Sequence, residues 1–538
     1  MDAGSVYVIG QGRSATEVTA EAAGAKGCQL LRMESMRLPV PAAFILGTAF
    51  SRRYFESGRR LPHDFPEQIR IHLRILEELT GKSFGSSRRP LLVSVRSGAP
   101  VSMPGMMDTV LNIGLGTETA LGLKRLTGNP HLVWDAYRRL VQAFAEVVHG
   151  VPGTEFESLA AQHLERVGTD TLQELDSAAL QSLAMENLEC YDRLVGQPFP
   201  QDPVRQLCDA VEAVIRSWQS PRAREYRRLH RLDDALGTAV TVQAMVFGNA
   251  GSTSGSGVGF SRNPATGEPG LYLDFAFNAQ GDDVVSGRRP ISEELQLATV
   301  LPSAYSELGR AADALEREFR DLQDFEFTIE EGRLHFLQTR AAQRTPLAAL
   351  RVAVDMVKEG LISPATALQR LELYDLDTLL HKRVRPDSPA AIGHAVTAGT
   401  GVAAGHLVLS GDRAREFAAA GEPAILVRPD LPAEDAAGIA ASAGVLTIRG
   451  ARTSHAAVVA RQMGKVCLVG CRDLVIEPER SCVTLGGRTI REGEWISLDG
   501  DAGQVFAGQV AIETERPDDL LRKVERWRTE QGSAVEGT

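Results

Sequence analysis

Cysteine is scarce in this chain: the sequence has 6 cysteines among 538 residues, at positions 28, 190, 208, 467, 471 and 482. So few and so widely spaced, they do not form a disulfide framework, and we expect reduced thiols as in a cytoplasmic protein. Cys467 and Cys471 are separated by one helical turn, but no matching pair of cysteines or histidines lies nearby. The spacing therefore gives little support to a metal or redox site.

Long apolar runs and long basic runs are also absent. No stretch approaches the roughly 18 to 20 apolar residues of a membrane span, and the first residues lack the basic and apolar regions of a secretory signal. The net charge is −11, from 58 basic and 69 acidic residues. We therefore expect a cytoplasmic protein with neither a membrane nor a nucleic acid as its partner.

The chain exceeds the length that one hydrophobic core organises, so three or four domains are expected. Glycine and proline positions, with changes in periodicity, predict four regions. They are a large region from residue 1 to about 340, mostly helical at about 130–236; a helical connector and hinge, 341–389; a compact α/β domain, 390–512; and a charged tail, 513–538. Within the connector, residues 382–389 are predicted to be irregular.

One histidine lies where a predicted strand, Val445–Ile448, leads into a predicted helix, Ala456–Met463, that ends at Gly464. Thr453 or Ser454 can cap the first turn of that helix. A phosphoryl group on His455 would lie near the positive helix end, where free backbone N–H groups favour an anion. The alternative is a histidine that only packs or caps.

Three segments of the first region suit phosphate. Gly24-Ala-Lys-Gly27 places Lys26 between glycines whose bare backbone can approach an anion. The strand Leu91–Val95 is followed by Arg96, which is expected at the strand's end, where a guanidinium can bind phosphate oxygens. Gly105 lies between methionines in a segment that suits a mobile loop. The alternatives are a plain turn, a surface arginine and an apolar turn.

A glycine-rich segment runs from Gly248 to Gly257. It lacks the Gly-Lys-Ser/Thr ending of a Walker loop and the Gly-x-Gly-x-x-Gly spacing of a dinucleotide-binding fingerprint. On its own, this composition is equally typical of a flexible surface loop.

Alternating residues in Asp324–Arg340 predict a hairpin that turns near Glu331-Gly332. Side chains repeat every two residues along a strand, so Asp324 and Glu326 share a face, as do Gln338 and Arg340 on the neighbouring strand. Carboxylate and amide oxygens suit Mg²⁺, and an arginine suits phosphate. A hairpin with one solvated polar face fits the alternation equally well.

The segment Thr453–Arg461, followed by Met463-Gly-Lys465, resembles the phosphohistidine signature of pyruvate phosphate dikinase and phosphoenolpyruvate synthase, the PEP-utilising enzymes. The resemblance covers nearly the whole chain, to about residue 512. It is closer to the dikinase in three stretches, Leu91–Asn112, Gln243–Gly287 and Phe325–Thr345.

This resemblance implies a multidomain α/β fold, in which an ATP-grasp region with a helical subdomain is joined to a swivelling β/β/α phosphohistidine domain. It implies that ATP gives its β-phosphoryl group to His455 and its γ-phosphoryl group to phosphate. It also assigns residues: Lys26, Arg96 and Arg340 to the ATP oxygens, Gly105, Ser256 and Gly257 to the phosphate site, and Asp324, Glu326 and Gln338 to Mg²⁺.

The family's third domain is an α/β barrel for pyruvate or phosphoenolpyruvate, which takes about 250 residues. Only the 26 residues of the tail follow residue 512. We therefore expect a truncated form, whose acceptor is bound on a separate domain or protein, and the family implies a homodimer. Two alternatives stay open: a phosphotransferase for another small molecule, as in antibiotic-phosphorylating relatives, or a non-catalytic ATP-binding regulator.

Two residues and one short segment depart from the family pattern, and a further residue next to the histidine matches it. Ala244 and Asp274 replace glutamates, which puts recognition of the base or ribose in doubt. Arg449-Gly-Ala-Arg452 replaces paired glycines, and its added guanidinium is expected to contact the phosphoryl donor or a different acceptor. Thr453 matches a residue that is reversibly phosphorylated in some dikinases, and it is equally suited to capping the helix.

Overall fold

The computed structural model describes residues 6–11, 18–101, 103, 106–169, 171–285, 294–376, 379–431, 435–450, 452 and 455–536. By its internal contacts the chain divides into two compact units, one of residues 1–250 with 335–339 and one of residues 251–334 with 340–538. The four regions expected from the sequence stay predictions. Among the described residues, no helix is long and apolar enough to cross a membrane.

The first unit is built on a five-stranded antiparallel sheet. The described strands of this unit are β1 (Val6–Ile9), β2 (Ala43–Leu46), β3 (Ser83–Phe84), β4 (Pro90–Leu91), β5 (Val93–Gly98), β6 (Thr109–Ile113) and β7 (Ala239–Ala244). The sheet order is β1-β2-β7-β5-β6, while β3 and β4 form a separate parallel pair. Every residue of β2 and β7 is buried, so β2 is a continuous apolar run rather than an alternating one.

Nine helices of the first unit lie within its described residues. They are α1 (Ala20–Ser35), α2 (Thr48–Glu56), α3 (Phe65–Thr80), α4 (Thr117–Thr127), α5 (Pro130–His149), α6 (Thr154–Val167), α7 (Ser177–Val195), α8 (Pro203–Ser217) and α9 (Pro221–Leu229). Helices α5 to α9 agree with the prediction that residues from about 130 to 236 are mostly helical. Local chemistry explains their limits: Asp176 accepts hydrogen bonds from the first N–H groups of α7, and Gly196 ends it in the left-handed conformation. Apolar side chains of α5, α7 and α8 share one core with the sheet.

The second unit begins with a four-stranded antiparallel sheet of order β11-β10-β8-β9. Its elements are β8 (Gly255–Arg262), β9 (Pro269–Phe277), α10 (Gly281–Val285), α11 (Glu294–Val300), α12 (Pro302–Phe319), β10 (Gln323–Glu330) and β11 (Arg333–Ala341). Alternate glycines on β8 let phenylalanines of β10 lie across that strand. A Cβ atom on Gly257 would be 2.7 Å from the ring of Phe327, and one on Gly259 would be 2.4 Å from Phe325.

Helices α13 (Pro346–Lys358) and α14 (Pro364–Leu371) follow, as the periodicity predicts. They share a core with Val524 and Trp527 of α18 (Asp518–Glu536), so the helical part of the charged final segment is packed. The prediction of irregular structure is wrong for residues 382–384. They belong to β12 (His381–Val384), whose backbone pairs with β24 (Ile512–Glu515) more than a hundred residues later.

The remaining elements form an α/β domain around an eight-stranded sheet of order β13-β23-β22-β15-β16-β17-β18-β14. They are β13 (Gly393–His394), β14 (Val396–Gly399), β15 (Val402–Val408), α15 (Gly411–Ala419), β16 (Ala424–Arg428), α16 (Ala436–Ala441), β17 (Gly444–Thr447), α17 (His455–Gln462), β18 (Val466–Val469), β19 (Val475–Glu477), β20 (Cys482–Leu485), β21 (Arg488–Arg491), β22 (Trp495–Asp499) and β23 (Gln504–Ala507). Strands β15 to β18 are parallel neighbours, and a hydrophobic core lies on each face of the sheet. The strand predicted at Val445–Ile448 is confirmed as β17.

Arg262 at the end of β8 joins that strand to two helices. Its guanidinium is buried and donates to Glu316 of α12 at 2.9 and 2.6 Å. It also donates to Glu359, the residue after α13, at 3.0 and 2.8 Å. Ser261 donates a further hydrogen bond to Glu316. The strand and both helices therefore depend on one buried charge network.

Arg262→Met should lower the free energy of unfolding by roughly 3–5 kcal/mol, because it leaves the buried Glu316 carboxylate without its cation. Arg351→Met is the matched control, since Arg351 pairs with Glu268 at 2.9 Å on the surface and should lose less than about 1 kcal/mol. Urea denaturation of the two variants measures the difference. Equal losses would show that the Arg262 network adds nothing beyond a surface ion pair.

Candidate functional site

The predicted hairpin is formed by β10 and β11, and it turns at Glu331 and Gly332, which both have positive φ (49° and 78°). Asp324 of β10 and Arg340 of β11 form an ion pair across it: the Arg340 Nε donates to both carboxylate oxygens of Asp324, at 2.8 and 2.9 Å. The Asp324 side chain is 9% exposed and that of Arg340 31%. The hairpin thus holds a guanidinium beside a buried carboxylate.

Burial raises the pKa of Asp324 to about 6, against the opposing effect of Arg340. The neighbouring carboxylate of Glu326 raises it further, because two like charges on one strand face disfavour ionisation. The pKa of Arg340 is raised, mainly by Asp324. The site therefore has an arginine that stays charged and a carboxylate that titrates closer to neutral pH than usual.

Gln338 and Arg340 lie on one face of β11, and both side chains are half-buried. The oxygens of Asp324, Glu326 and Gln338 are hard ligands of the kind that Mg²⁺ prefers, so the donor set fits this ion. Both oxygens of Asp324 already accept from Arg340. Among the described residues, no group of three or more His, Cys, Asp or Glu side chains could hold a metal, so an amide oxygen or the substrate would have to complete this set.

Ser256 and Gly257 lie within β8 rather than in the loop before it. The Ser256 hydroxyl is buried and lies 3.0 Å from the hydroxyl of Thr328 on β10. Gly257 is required by packing, because a Cβ atom there would lie 2.5 Å from the carbonyl of Asp274 as well as against Phe327. Both residues thus have structural partners of their own.

The segment Gly24-Ala-Lys-Gly27 lies inside α1 and interrupts it, because Gly24 has φ 72° and ψ 158°. A Cβ atom on Gly24 would be 1.9 Å from the carbonyl oxygen of Gly98, and the Ala25 N–H donates to Ala99 at 2.8 Å. Close contact with the end of β5 therefore requires the first glycine. Lys26 is half-buried beside this contact.

Arg96 was expected just beyond a strand, and this expectation is wrong. Strand β5 continues to Gly98, because β7 pairs with it up to the Gly98–Ala239 position. Arg96 is half-buried between Thr241 and Thr109 on the neighbouring strands. Its buried Nη1 has no hydrogen-bond partner among the described residues. Such an unsatisfied cationic donor fits an anionic ligand.

His455 is the first residue of α17, and the predicted order of strand, histidine and helix is confirmed. Gly464 follows with φ 64° and ends the helical turn. Strand β17 has parallel neighbours on both sides, so the segment that leads to His455 leaves the carboxyl edge of the sheet. Three residues with predicted roles, Gly105, Thr453 and Ser454, lie outside the described residues.

Arg452 has a partner that the sequence did not reveal. Its Nη1 donates to the Asp274 carboxylate at 3.1 Å and to the Leu273 carbonyl at 3.0 Å, both on β9. The guanidinium also lies over the Tyr272 ring, 4.3 Å from its centroid. The sequence marks Asp274 and Arg452 only as two separate departures from a family pattern, and nothing in either segment indicates that they meet.

Asp324→Asn should change how stability depends on pH. Because the folded pKa of Asp324 is raised from 3.8 to about 6, folding favours its neutral form. That stabilisation is fully present below pH about 4 and is lost as the pH rises through about 6, by an amount of roughly 3 kcal/mol. Thermal midpoints across this range should therefore show the wild type losing stability relative to the variant. A difference that does not vary with pH would contradict the raised pKa.

Two parts of the chain match known protein families. Residues 60–297 match the pyruvate phosphate dikinase AMP/ATP-binding domain, and residues 420–503 match the mobile domain of the PEP-utilising enzymes. The first match contains Arg96, Ser256 and Gly257, and the second contains His455.

The chain is also similar to curated pyruvate, phosphate dikinases. It is 44% identical to that of Clostridium symbiosum over 508 residues, 94% of this chain and 58% of the relative. It is 42% identical to that of Rhizobium meliloti (strain 1021), over 97% of this chain and 60% of the relative. It is 43% identical to the chloroplastic protein of Flaveria pringlei, over 97% of this chain and 55% of the relative. The chain thus spans less than two thirds of the length of these relatives, and it resembles the dikinases across both their ATP-binding and their mobile domains.

Proposed function

We propose that this chain is an ATP-dependent phosphotransferase of the pyruvate phosphate dikinase type, in which His455 carries the phosphoryl group. The position of His455 as the first residue of α17, within the match to the mobile domain, is the observation that carries the proposal. Free N–H groups of the first helical turn favour a phosphoryl anion at that end. Similarity over 94–97% of the chain supports the same activity.

The proposed architecture has an ATP-grasp region and a swivelling phosphohistidine domain. Two observations support it. The match to an AMP/ATP-binding domain spans parts of two separate antiparallel sheets, and β12 and β24, which enter and leave the α/β domain, pair with each other. A strand pair at the base of a domain suits a hinge, since it keeps both connections together while the domain moves.

Lys26, Arg96 and Arg340 are the proposed cations for the phosphate oxygens of ATP. Arg96 has a buried Nη1 without a hydrogen-bond partner among the described residues, which supports its role as a phosphate ligand. The Arg340 guanidinium is held in place by Asp324, which supports the same role for Arg340. The backbone of Ser256 and Gly257 and the segment around Gly105 complete the proposed phosphate site. These cations would stabilise the negative charge that develops as the phosphoryl group moves.

Asp324, Glu326 and Gln338 are the proposed residues for Mg²⁺. When bound, the ion would neutralise charge on the phosphate oxygens. Glu326 is half-buried on the same strand face as Asp324, which concentrates negative charge where a cation would be attracted. The ion pair with Arg340 fixes the orientation of Asp324 before any ligand binds.

The proposed half-reaction converts ATP, phosphate and His455 into AMP, pyrophosphate and phosphohistidine. The imidazole nitrogen forms a bond to the β-phosphorus as the bond to the α-phosphate oxygen breaks, which releases AMP. The γ-phosphoryl group is transferred to phosphate, which gives pyrophosphate. The neutral ring nitrogen supplies the electron pair, and the cations hold the phosphates in line with it.

Pyruvate is the proposed final acceptor, by analogy with the names of the relatives. The acceptor would be bound outside the residues described here, on another domain or a separate PEP/pyruvate-binding protein. A homodimer in the cytoplasm is proposed on the same resemblance. A different small-molecule acceptor and a non-catalytic ATP-binding regulator are the competing functions that experiment must separate.

Incubation with Mg²⁺, phosphate and β-labelled ATP should give an acid-labile label on His455 and release AMP. His455→Ala should abolish the label and leave ATP binding unchanged, because the variant removes only the nucleophile. His394→Ala is the control, since this histidine is exposed in the same domain. Absence of label in the wild type despite ATP binding would favour the regulator. Label without stimulation by phosphate would contradict the dikinase type.

Glu326→Gln should slow labelling of His455 by roughly 10²–10³-fold, because it removes charge stabilisation at the phosphates. It should also raise the Mg²⁺ concentration needed for half-maximal labelling. Glu331→Gln, an exposed residue in the turn of the same hairpin, is the matched control and should leave both quantities unchanged. A slower reaction with an unaltered Mg²⁺ requirement would argue against a metal role for Glu326.

A further inference from the structure

Arg452 connects the segment before α17 to the sheet that carries Asp324. Its Nη1 donates to Asp274 and to the carbonyl of Leu273, and its guanidinium lies over Tyr272. All three partners lie on β9. Arg452 precedes His455 by less than one helical turn in sequence, so this contact ties the approach to the histidine directly to one strand.

Helix α17, which begins at His455, binds the backbone of Arg452 through Arg461. Arg461 of α17 is buried, and its Nη2 donates to the backbone carbonyl of Arg452 at 2.9 Å. Its Nε donates to Ala398 on β14 at 3.2 Å, and its guanidinium lies 5.8 Å from the ring centroid of Phe260 on β8. Arg452 is therefore fixed through its backbone to α17 and through its side chain to β9.

The Arg452–Asp274 pair is only partly satisfied. Asp274 is fully buried, yet its Oδ2 has no hydrogen-bond partner among the described residues, and neither has the buried Nε of Arg452. Burial raises the pKa of Asp274, against the attraction of Arg452. Arg262 also keeps a buried nitrogen, Nη1, without a hydrogen-bond partner among the described residues. It differs in that two carboxylates accept four hydrogen bonds from its other nitrogens, whereas Asp274 accepts one from Arg452.

A polar cavity next to Arg452 leaves room for the Arg452–Asp274 contact to open. Arg452 and Tyr272 line a cavity of about 910 Å³, together with charged residues that include Arg351, Arg383 and Asp501. Water can enter such a polar cavity and solvate both partners if they separate. Since desolvation cancels much of the attraction in a buried pair, the contact gives a defined geometry with little net stabilisation.

We propose that Arg452 is a positioning residue, which seats the His455 segment on β9 for transfer from ATP and separates from Asp274 when the phosphorylated domain leaves. The proposal rests on the proposed function of His455. Arg452 would act by placing the histidine and would not contact the reacting phosphate itself. The pair should therefore affect the rate of His455 phosphorylation and leave ATP affinity unchanged.

The test compares Arg452→Gln, Asp274→Asn and the double variant with the wild type. Single-turnover labelling by β-labelled ATP gives the rate, and equilibrium dialysis with labelled ATP gives the affinity. Each single variant should label roughly 10- to 100-fold more slowly, as expected for a misplaced nucleophile. The double variant should be no slower than the worse single variant, since both remove one contact. Arg452→Lys keeps the charge and should recover part of the rate.

Arg449→Gln is the matched control. Arg449 is an exposed arginine in the same segment, and its replacement should leave the labelling rate unchanged. Additive effects of the two single variants, an unchanged rate in Arg452→Gln, or an equal loss in the Arg449 control would each overturn the proposal. A rate loss that is matched by weaker ATP binding would do so as well, because it would place Arg452 in the nucleotide site.

Hydrogen exchange separates this proposal from that of the phosphotransferase itself. Peptides that cover β9 and the segment before α17 should exchange faster in Arg452→Gln than in the wild type, whether or not the protein is labelled by ATP. If the wild type accepts no label, the phosphotransferase proposal fails and the exchange result alone decides on the contact. Unchanged exchange in both peptides would show that Arg452 holds nothing in place.

Discussion

Buried carboxylates on or beside the four-stranded sheet constrain what can pack against it. An ionised carboxylate in an apolar environment is strongly unfavourable unless a cation and hydrogen bonds accompany it. Asp324 is met by Arg340 across the hairpin, Glu316 by Arg262, and Asp274 by Arg452. The first pair joins two strands within the sheet, β10 and β11. The second joins the sheet to helix α12, and the third joins it to the segment before α17. The identity of each cation therefore decides which element can lie at that position.

The pairs differ in how completely they satisfy their charges, and that difference has consequences for movement. The Arg262 network uses four hydrogen bonds to two carboxylates, so separating its members would leave the buried charges of Arg262 and Glu316 without their partners. Arg262 leaves one buried nitrogen, Nη1, without a hydrogen-bond partner, whereas Asp274 and Arg452 share one side-chain hydrogen bond and each leave a buried polar atom without a partner among the described residues. Separation into water would satisfy those atoms, so the free energy of opening is smaller. The Arg262 network therefore suits a permanent contact, and the Arg452–Asp274 pair suits a contact that opens.

Elements with a local cause could be predicted from the sequence. The β10–β11 hairpin follows from the alternation of apolar and polar residues and from the turn at Glu331-Gly332, where both residues have positive φ. The order of strand, His455 and helix follows from an apolar run, a helical period and Gly464 at the end. The helices between residues 130 and 236 carry their own caps and stop signals, such as Asp176 and Gly196. In each case the residues that determine the element lie within it or next to it.

Features with a distant cause could not be predicted. Strand β5 extends through Arg96 because β7 supplies backbone partners as far as Ala239, and β12 exists because β24 returns to it. The same limit applies to glycines: Gly24 and Gly257 fit a phosphate-binding pattern, yet a neighbouring backbone leaves no room for a side chain at either position. Both glycines are themselves buried, Gly24 against the end of β5 and Gly257 between the paired strands β10 and β9. Packing by itself therefore accounts for glycine at both positions, and that cause lies in neighbours more than fifteen residues away, which a local sequence pattern does not contain.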